Sequence, residues 1–284
     1  MKPRKTSVPL CLSRHRRQVS FQSVWFQNGE RDDLLRVGAW GTRGRRFILD
    51  ASLAGARVVA TLMKRTVEPE LMTGESQALA YARADFESAH SSYPKLFAKK
   101  FPIRPRRARA LDLGCGPCDV TVRFARANPG WTFHAVDGSA AMLRHARIAI
   151  ARQRGLLRRI KLIEGFIPGA PISKQSYDVI LSSSFLHHLH NPQVLWQTVQ
   201  QASKRGTIVF IADLRRPASR ARARAFTRKY SCGEPEVLRR DFFNSLLAAF
   251  TPTEIRKQLK QAGLEELRVE IVSDRHLVVF GRIL

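Results

Sequence analysis

Residues Leu111-Asp112-Leu113-Gly114-Cys115-Gly116-Pro117-Cys118-Asp119 carry an apolar stretch through a glycine-rich turn into a helical pattern. Gly114 and Gly116 let the backbone bend and approach a ligand with no Cβ in the way. Ligands of open α/β sheets sit outside the carboxyl ends of the strands, at such a turn. A second apolar stretch, Phe133-His134-Ala135-Val136-Asp137-Gly138-Ser139, ends on an acid. A carboxylate about twenty residues past the glycine turn accepts hydrogen bonds from ribose hydroxyls, so the pair asks for an adenosine-type ligand. The dinucleotide fingerprint needs a third glycine three residues after Gly116, to pack the helix near a pyrophosphate. Asp119 stands there, and an acid at a helix N-terminus repels a pyrophosphate. A nicotinamide-dependent dehydrogenase therefore ranks last among the readings.

The elements that must position these residues follow from periodicity. Strands are predicted over Ala108–Leu113, Thr132–Asp137, Ile160–Glu164, Tyr177–Ser182 and Thr207–Asp213, and helices over Val120–Ala127, Ser139–Arg152 and Pro192–Ala202. Strand–helix alternation implies a parallel sheet with helices on both faces. Thr251-Pro252-Thr253-Glu254 reads as a capping box with proline at the first helical position, and that helix should stop at Gly263. Leu267–Val272 and Leu277–Arg282 are joined by Ser273-Asp274-Arg275-His276, a link short enough only for an antiparallel hairpin. The fold expected is α/β and Rossmann-like: a seven-stranded, mostly parallel sheet with an antiparallel C-terminal strand. Residues 75–100 read as one or two amphipathic helices.

With the glycine turn, Asp137 and the closing hairpin in place, the sequence resembles class I S-adenosylmethionine-dependent methyltransferases over roughly residues 75–284. The stretch Tyr177–Pro192, with Ser182-Ser183-Ser184-Phe185-Leu186-His187-His188-Leu189 at its centre, resembles the fourth-strand motif of the small-molecule enzymes of ubiquinone and menaquinone biosynthesis. The resemblance implies S-adenosyl-L-methionine as cofactor and a set of cofactor-binding residues. Asp112, Gly114, Cys115 and Gly116 form the first motif, bordering the methionine part, and Asp137 binds the ribose. Gly138, Ser139 and Met142 lie near the ribose or adenine. Glu164, Gly165 and Phe166 flank the adenine edge, and Ser182 and Ser183 lie by the amino-acid end. The chain departs from the family at Cys118, where a small glycine is usual, and at Glu164-Gly165, where an aspartate is common. Tyr81 and Asp85 are further candidates, because helices before the first strand commonly roof the cofactor in such proteins.

The sulfonium methyl is already activated, so transfer mainly needs positioning and exclusion of water. A base is required only where the nucleophile must lose a proton. His187, His188 and His190 are the candidates, since imidazole titrates near neutral pH; the plainer reading is that they shape the loop and helix start. Of these, His187 and His188 are carried as the catalytic candidates, and no metal site is expected. Cys115-x-x-Cys118 has metal or redox spacing, but it lies inside the glycine turn with no second pair nearby.

Residues 214–250 interrupt the sheet before the capped helix and are predicted to be a lid insertion. Its first half holds Arg215, Arg216, Arg220, Arg222, Arg224, Arg228 and Lys229 without an acid. These cations form either a solvated basic face or a lid for an anionic small-molecule substrate. Phe226, Tyr230, Phe242 and Phe243 pack the lid or line a substrate pocket, and Tyr81, Phe86, Tyr93 and Phe97, which recur near helical spacing, read as core more than pocket.

The chain has 284 residues and a formal charge of +26. That charge favours polyanions, yet it is diffuse: residues 1–62 hold 12 Lys+Arg against 4 Asp+Glu, the rest 37 against 19. An RNA or tRNA methyltransferase is therefore an alternative, but no RNA-binding module is recognisable and no Asn/Asp-Pro-Pro-Tyr motif follows the fourth strand. A non-catalytic binding protein of the same fold is a second alternative, opposed by the intact Gly114, Gly116 and Asp137. Residues 1–62 read as a flexible basic extension and 63–284 as the methyltransferase domain, with helices over the cofactor within 66–105. The first residues lack an apolar core and cleavage site, so no signal peptide is expected, although the stretch is Arg-rich and acid-poor like a transit peptide. An upstream start that is not the natural one would also explain it, Met63 opening the more ordinary sequence. No run of 18 apolar residues occurs, and four cysteines in so long a chain suit a reducing compartment, so a cytoplasmic protein is expected.

Overall fold

The computed structural model describes residues 63–68, 74–84, 86–153 and 155–284, all within the unit Leu62–Leu284. The readings made for residues 1–62, and Asp85, lie outside the described residues.

Seven strands form one sheet in the order β3-β2-β1-β4-β5-β7-β6. They are β1 (Ala108–Leu113), β2 (Trp131–Asp137), β3 (Ile160–Glu164), β4 (Tyr177–Ser183), β5 (Ser203–Leu214), β6 (Arg268–Ile271) and β7 (His276–Arg282). The pairs among β1 to β5 are parallel; β7 runs antiparallel to both β5 and β6. Central strands covered on both faces need continuous apolar runs. Accordingly, β1 buries every residue but Arg109, and β5 is buried from Thr207 to Leu214. β5 begins four residues before the expected Thr207 because Tyr177 pairs with Ser203 across a register shift. That extension, Ser203-Lys204-Arg205-Gly206, is polar and mostly exposed, so hydropathy does not mark it.

Helices cover both faces. Before the sheet come α1 (Glu75–Arg83), α2 (Glu87–His90) and α3 (Ser92–Lys100), three helices where one or two are expected. Ala84 leaves α1 in an extended conformation, which divides the run. Within the alternating part lie α4 (Asp119–Ala127), α5 (Ala140–Ala151) and α6 (Gln193–Ala202). Ser139 caps α5 by accepting the Met142 N–H at 3.2 Å. The 214–250 segment contains α7 (Arg220–Tyr230) and α8 (Glu236–Ala248), followed by α9 (Pro252–Gln261).

The core has two main parts, one per face. On one, Phe97 meets Phe124, Trp131 and Phe210 edge-to-face at centroid distances of 5.4, 5.7 and 5.5 Å, a favoured aromatic geometry. On the other, Trp196 packs with Leu195, Ile255 and Leu259, and its indole N–H donates to the Gln258 side-chain oxygen at 3.0 Å. β1 leads to β2 and β3 on one side, while β4 and β5 lie on the other. The strand order therefore reverses between β1 and β4, and a ligand crevice belongs at the carboxyl ends of those strands.

Candidate active site

The first motif builds one wall at that switch point. Gly114 has φ +72° and Gly116 φ +52°, a region that costs glycine little. The Gly114 and Cys115 N–H groups both donate to the Val136 carbonyl, at 2.9 and 3.0 Å. Cys118, where the resembled family has glycine, also takes a left-handed conformation at φ 63° and leads into α4. Both turn thiols are buried and unbridged, and burial pushes the Cys115 thiol well up, which suits packing and not a reactive thiolate.

Asp137 ends β2 facing the turn. One carboxylate oxygen accepts the Gly116 N–H and the other the Ser139 N–H, each at 2.8 Å. Burial raises its pKa and the two hydrogen bonds oppose that rise. Behind the turn, Asp112 is buried; Oδ2 accepts the Thr121 hydroxyl at 2.5 Å, and Oδ1 has no hydrogen-bond partner among the described residues. Burial lifts the Asp112 pKa to about 6, the Thr121 hydrogen bond acting against it.

A cavity of about 580 Å³ opens here, and Gly114, Cys115, Gly116, Asp137, Gly138, Ser139, Met142 and Ser183 line it. The end of α1, Phe86 before α2 and the last residue of α2 close it through Tyr81, Phe86 and His90. Asp119, the first residue of α4, also lines it. His90 Nδ1 lies 2.7 Å from its Oδ2, and Arg123 Nε donates to both its oxygens. Burial works against the Asp119 charge, but His90 and Arg123 outweigh it and hold the pKa low.

Five of the expected cofactor residues stand elsewhere. Asp112 lies beneath the turn, and Ser182 is buried with its hydroxyl donating to the Leu113 carbonyl at 2.7 Å, which ties β4 to β1. Glu164, Gly165 and Phe166 do not line the cavity. The chain packs Gly165 against Ala170 just after β3 and leaves Phe166 61% exposed.

A second cavity, about 140 Å³, shares Tyr81, Ala84, Phe86, His90, Ser184 and His188 with the first. Its further walls include Tyr93, Leu214, Tyr230, Leu238, Phe242 and His276, so α7, α8 and the loop between them cover it. None of the seven cations of the 214–230 stretch lines either cavity. Arg216 is buried and pairs with Glu254 at 2.5 Å. Arg224 and Arg228 line a separate groove with Arg239 and Arg240. The guanidinium at the second cavity is Arg275, stacked 3.4 Å from the Tyr230 ring centroid. Burial, with Arg275 adding to it, lowers the His276 pKa to about 4, so its ring is neutral at pH 7.

The histidine candidates separate. His187 is 2% exposed and lies in a 3₁₀ turn, Leu186–His188. Its Nδ1 is 2.5 Å from Asp213 Oδ1, at the end of β5. The other Asp213 oxygen accepts the N–H groups of Phe185 and Leu186 at 3.0 and 2.8 Å. Burial disfavours charge on His187, yet Asp213 and then Glu68 outweigh it and raise its pKa. His188 borders both cavities. His190 lines neither; its Nε2 bonds the Glu68 carbonyl at 2.8 Å.

Nothing in the sequence marks Glu68, which lies in the short segment before the helices with no motif around it. Arg65 anchors that segment: Nε donates to the Ala248 carbonyl at 2.5 Å and Nη2 to those of His187 and Leu189 at 2.8 and 3.0 Å. The Glu68 carboxylate accepts the Ser245 hydroxyl at 3.0 Å. It reaches His187 Nε2 at 3.6 Å and His188 Nδ1 at 3.3 Å.

Residues 111–209 match the family described as "Methyltransferase domain". A release factor glutamine methyltransferase from Gloeobacter violaceus is 41% identical over 78 residues, 27% of this chain and 26% of that protein. The match thus spans about a quarter of that relative's length. A SAM dependent methyltransferase from Aquifex aeolicus has the same fold with a TM-score of 0.56 at 16% identity, over 75% of this chain and 100% of that one. The plantazolicin methyltransferase BpumL, solved with a triazolic desmethylPZN analog and SAH, gives 0.53 at 15% identity, over 74% and 90%. Residues 111–209 therefore match a methyltransferase domain, within a fold shared with S-adenosylmethionine-dependent methyltransferases.

Proposed function

We propose that the protein is an S-adenosylmethionine-dependent methyltransferase acting on a small molecule held in the second cavity. The observation that carries this reading is the Asp137 carboxylate. It is fixed by two backbone N–H groups inside a cavity at the sheet's switch point, and that cavity opens onto a smaller, aromatic-walled one.

The residues present fit the cofactor. A Cβ on Gly116 would meet nothing within 4 Å, so backbone and free space together form a cradle. Asp112 Oδ1 is a buried acceptor without a partner beneath that cradle. Asp137 would take the ribose hydroxyls on its remaining lone pairs, with Gly138, Ser139 and Met142 beside it. Gly114, Cys115, Gly116 and Ser183 would border the amino-acid end. The bound cofactor supplies an electrophilic sulfonium methyl. The protein's part is to orient the acceptor and exclude water. Tyr81 and Phe86, common to both cavities, are placed to close the path between them. His188 is the imidazole at the junction, and His187, held by Asp213, stands behind it.

The acceptor class rests on the second cavity alone. Five aromatic rings (Tyr81, Phe86, Tyr93, Tyr230 and Phe242) and several imidazoles line it, which suits a small, partly apolar molecule with a nucleophilic oxygen or nitrogen. The glutamine acceptor in the relative's name does not carry over, since the match spans only about a quarter of that protein.

Calorimetric titration of S-adenosylmethionine into the wild type and Asp137→Ala tests the reading. Binding by the wild type, weakened by about 1–3 kcal/mol in the variant, is expected when hydrogen bonds to a charged group are lost. A folded wild type that does not bind overturns it.

A further inference from the structure

Glu68, His187 and His188 bring one carboxylate oxygen and two ring nitrogens together, all within 4.8 Å of one another. Their elements are far apart in sequence: Glu68 precedes α1, and the histidines follow β4. Glu68 Oε1 stands 3.6 Å from His187 Nε2 and 3.3 Å from His188 Nδ1. The first separation is too long for a hydrogen bond. Both are close to the roughly 3.3 Å between neighbouring ligand atoms around a tetrahedral ion with bonds of about 2.0–2.1 Å.

The groups behind these three match what metal ligands require. His187 holds Nδ1 against the buried Asp213 at 2.5 Å, which fixes the ring with Nε2 turned toward Glu68. Carboxylate–histidine pairs of this kind orient metal-binding imidazoles. Asp213 is itself fixed by the N–H groups of Phe185, Leu186 and Leu214. Ser245 holds the Glu68 carboxylate. One carboxylate oxygen and two imidazole nitrogens thus converge where their side chains are largely buried.

We propose that Glu68, His187 and His188 form a binding site for one divalent transition-metal ion, of the kind that takes mixed imidazole and carboxylate ligands. Three protein ligands leave at least one coordination position. His187, His188 and Ser245 all line the second cavity, so that position faces it. If the methyl-transfer reading holds, the ion would bind the acceptor's oxygen or nitrogen and favour its deprotonated form. Only this role rests on that reading; the site itself stands on the ligand geometry.

The test uses the full-length, tag-free protein, stripped with a chelator and dialysed. Zn²⁺ is titrated calorimetrically and Co²⁺ by its visible absorption, with S-adenosylmethionine binding measured on the same preparation. One ion per chain is expected, with visible Co²⁺ bands. Glu68→Gln and His188→Gln should each weaken binding at least about tenfold, and Asp213→Asn about 10–100-fold, the usual effect of losing a group that orients a ligand. Circular dichroism and melting curves establish that each variant folds; two separate ligand variants keep the test open should one fail to. A folded wild type that binds no ion more tightly than the variants do overturns the proposal. So does an ion that survives these substitutions but is lost in Cys115→Ser/Cys118→Ser. Cofactor binding without metal binding rejects the metal site alone, and metal binding without cofactor binding rejects the methyltransferase reading alone.

Discussion

The ring of Phe185 occupies the place that a Cβ on Gly114 would take. The strand-end glycine and the residue that precedes the Leu186–His188 turn are therefore packed against each other, and the wall of the larger cavity depends on that fit. Gly114→Ala must displace the ring and also hold alanine at φ +72°. The left-handed conformation costs about 1–2 kcal/mol and overpacking a further 1–3 kcal/mol or so. Gly116→Ala meets only the conformational term, because its Cβ would stand in open space. Chemical denaturation should rank Gly114→Ala as clearly the less stable of the two. Gly116→Ala should lose more in cofactor affinity than in stability, since its methyl fills the proposed cradle. Equal losses of stability would contradict the packing argument.

Much of this site is legible in the amino-acid sequence. Gly114, Gly116 and Asp137 are local signals: each sits at a strand end that the apolar runs mark, and each has a residue type that its conformation or its proposed ligand requires. The capping box at Thr251 and the closing hairpin are legible for the same reason. The Glu68–His187 approach is not. It joins two distant stretches of chain through the Arg65 anchor, and no periodicity reports a contact of that kind. The arginines of the 214–230 stretch show the converse. Their composition is compatible with a solvated basic face or with a lid over an anion, whereas Arg216 turns inward to Glu254 and Arg224 and Arg228 face a different groove. Charge in a sequence does not say which way a helix face points.

Asp112 should make stability depend on pH in an uncommon direction. Its pKa is about 6 in the folded chain against an ordinary carboxyl value of 3.8. Between those values the native state keeps a proton that the unfolded state has lost, so this residue's contribution falls as pH rises from about 4 to 6. A difference of about two pH units corresponds to about 3 kcal/mol. Asp112→Asn removes the titration while preserving an acceptor for Thr121. Urea melts of both proteins without cofactor should show the variant more stable at pH 7 and the gap closing near pH 4. A gap that does not change with pH would refute the burial argument.

Glu254 serves two partners, and the two can be separated. It closes the capping box, one oxygen accepting the Thr251 N–H at 2.7 Å, and its other oxygen pairs with the buried Arg216. Thr251→Ala removes only the cap and should cost about 1 kcal/mol. Glu254→Ala also strands the Arg216 guanidinium, so its cost should be greater, up to about 3 kcal/mol for a charged hydrogen bond. Burial opposes the Glu254 charge, but Arg216 and the cap outweigh it and depress the pKa, which makes that contribution present above the unfolded carboxyl pKa. It is lost as pH falls through the folded value. Thermal melts at pH 7 and pH 3 check this: the two variants should converge in acid.

Leu238 offers a way to block one cavity and leave the other alone. It lies on α8, is 7% exposed, and lines the smaller cavity without touching the larger. Leu238→Trp puts an indole into a space of about 140 Å³, at an overpacking cost of about 1–3 kcal/mol in stability. If the acceptor sits there, small aromatic alcohols and amines found by ligand-observed NMR on the wild type should no longer bind the variant. S-adenosylmethionine should bind both proteins alike, because Asp137 and the glycine turn lie on the far side of Tyr81 and Phe86. Cofactor affinity falling together with acceptor binding would mean that the two cavities act as one site, and the division of labour between them would have to be abandoned.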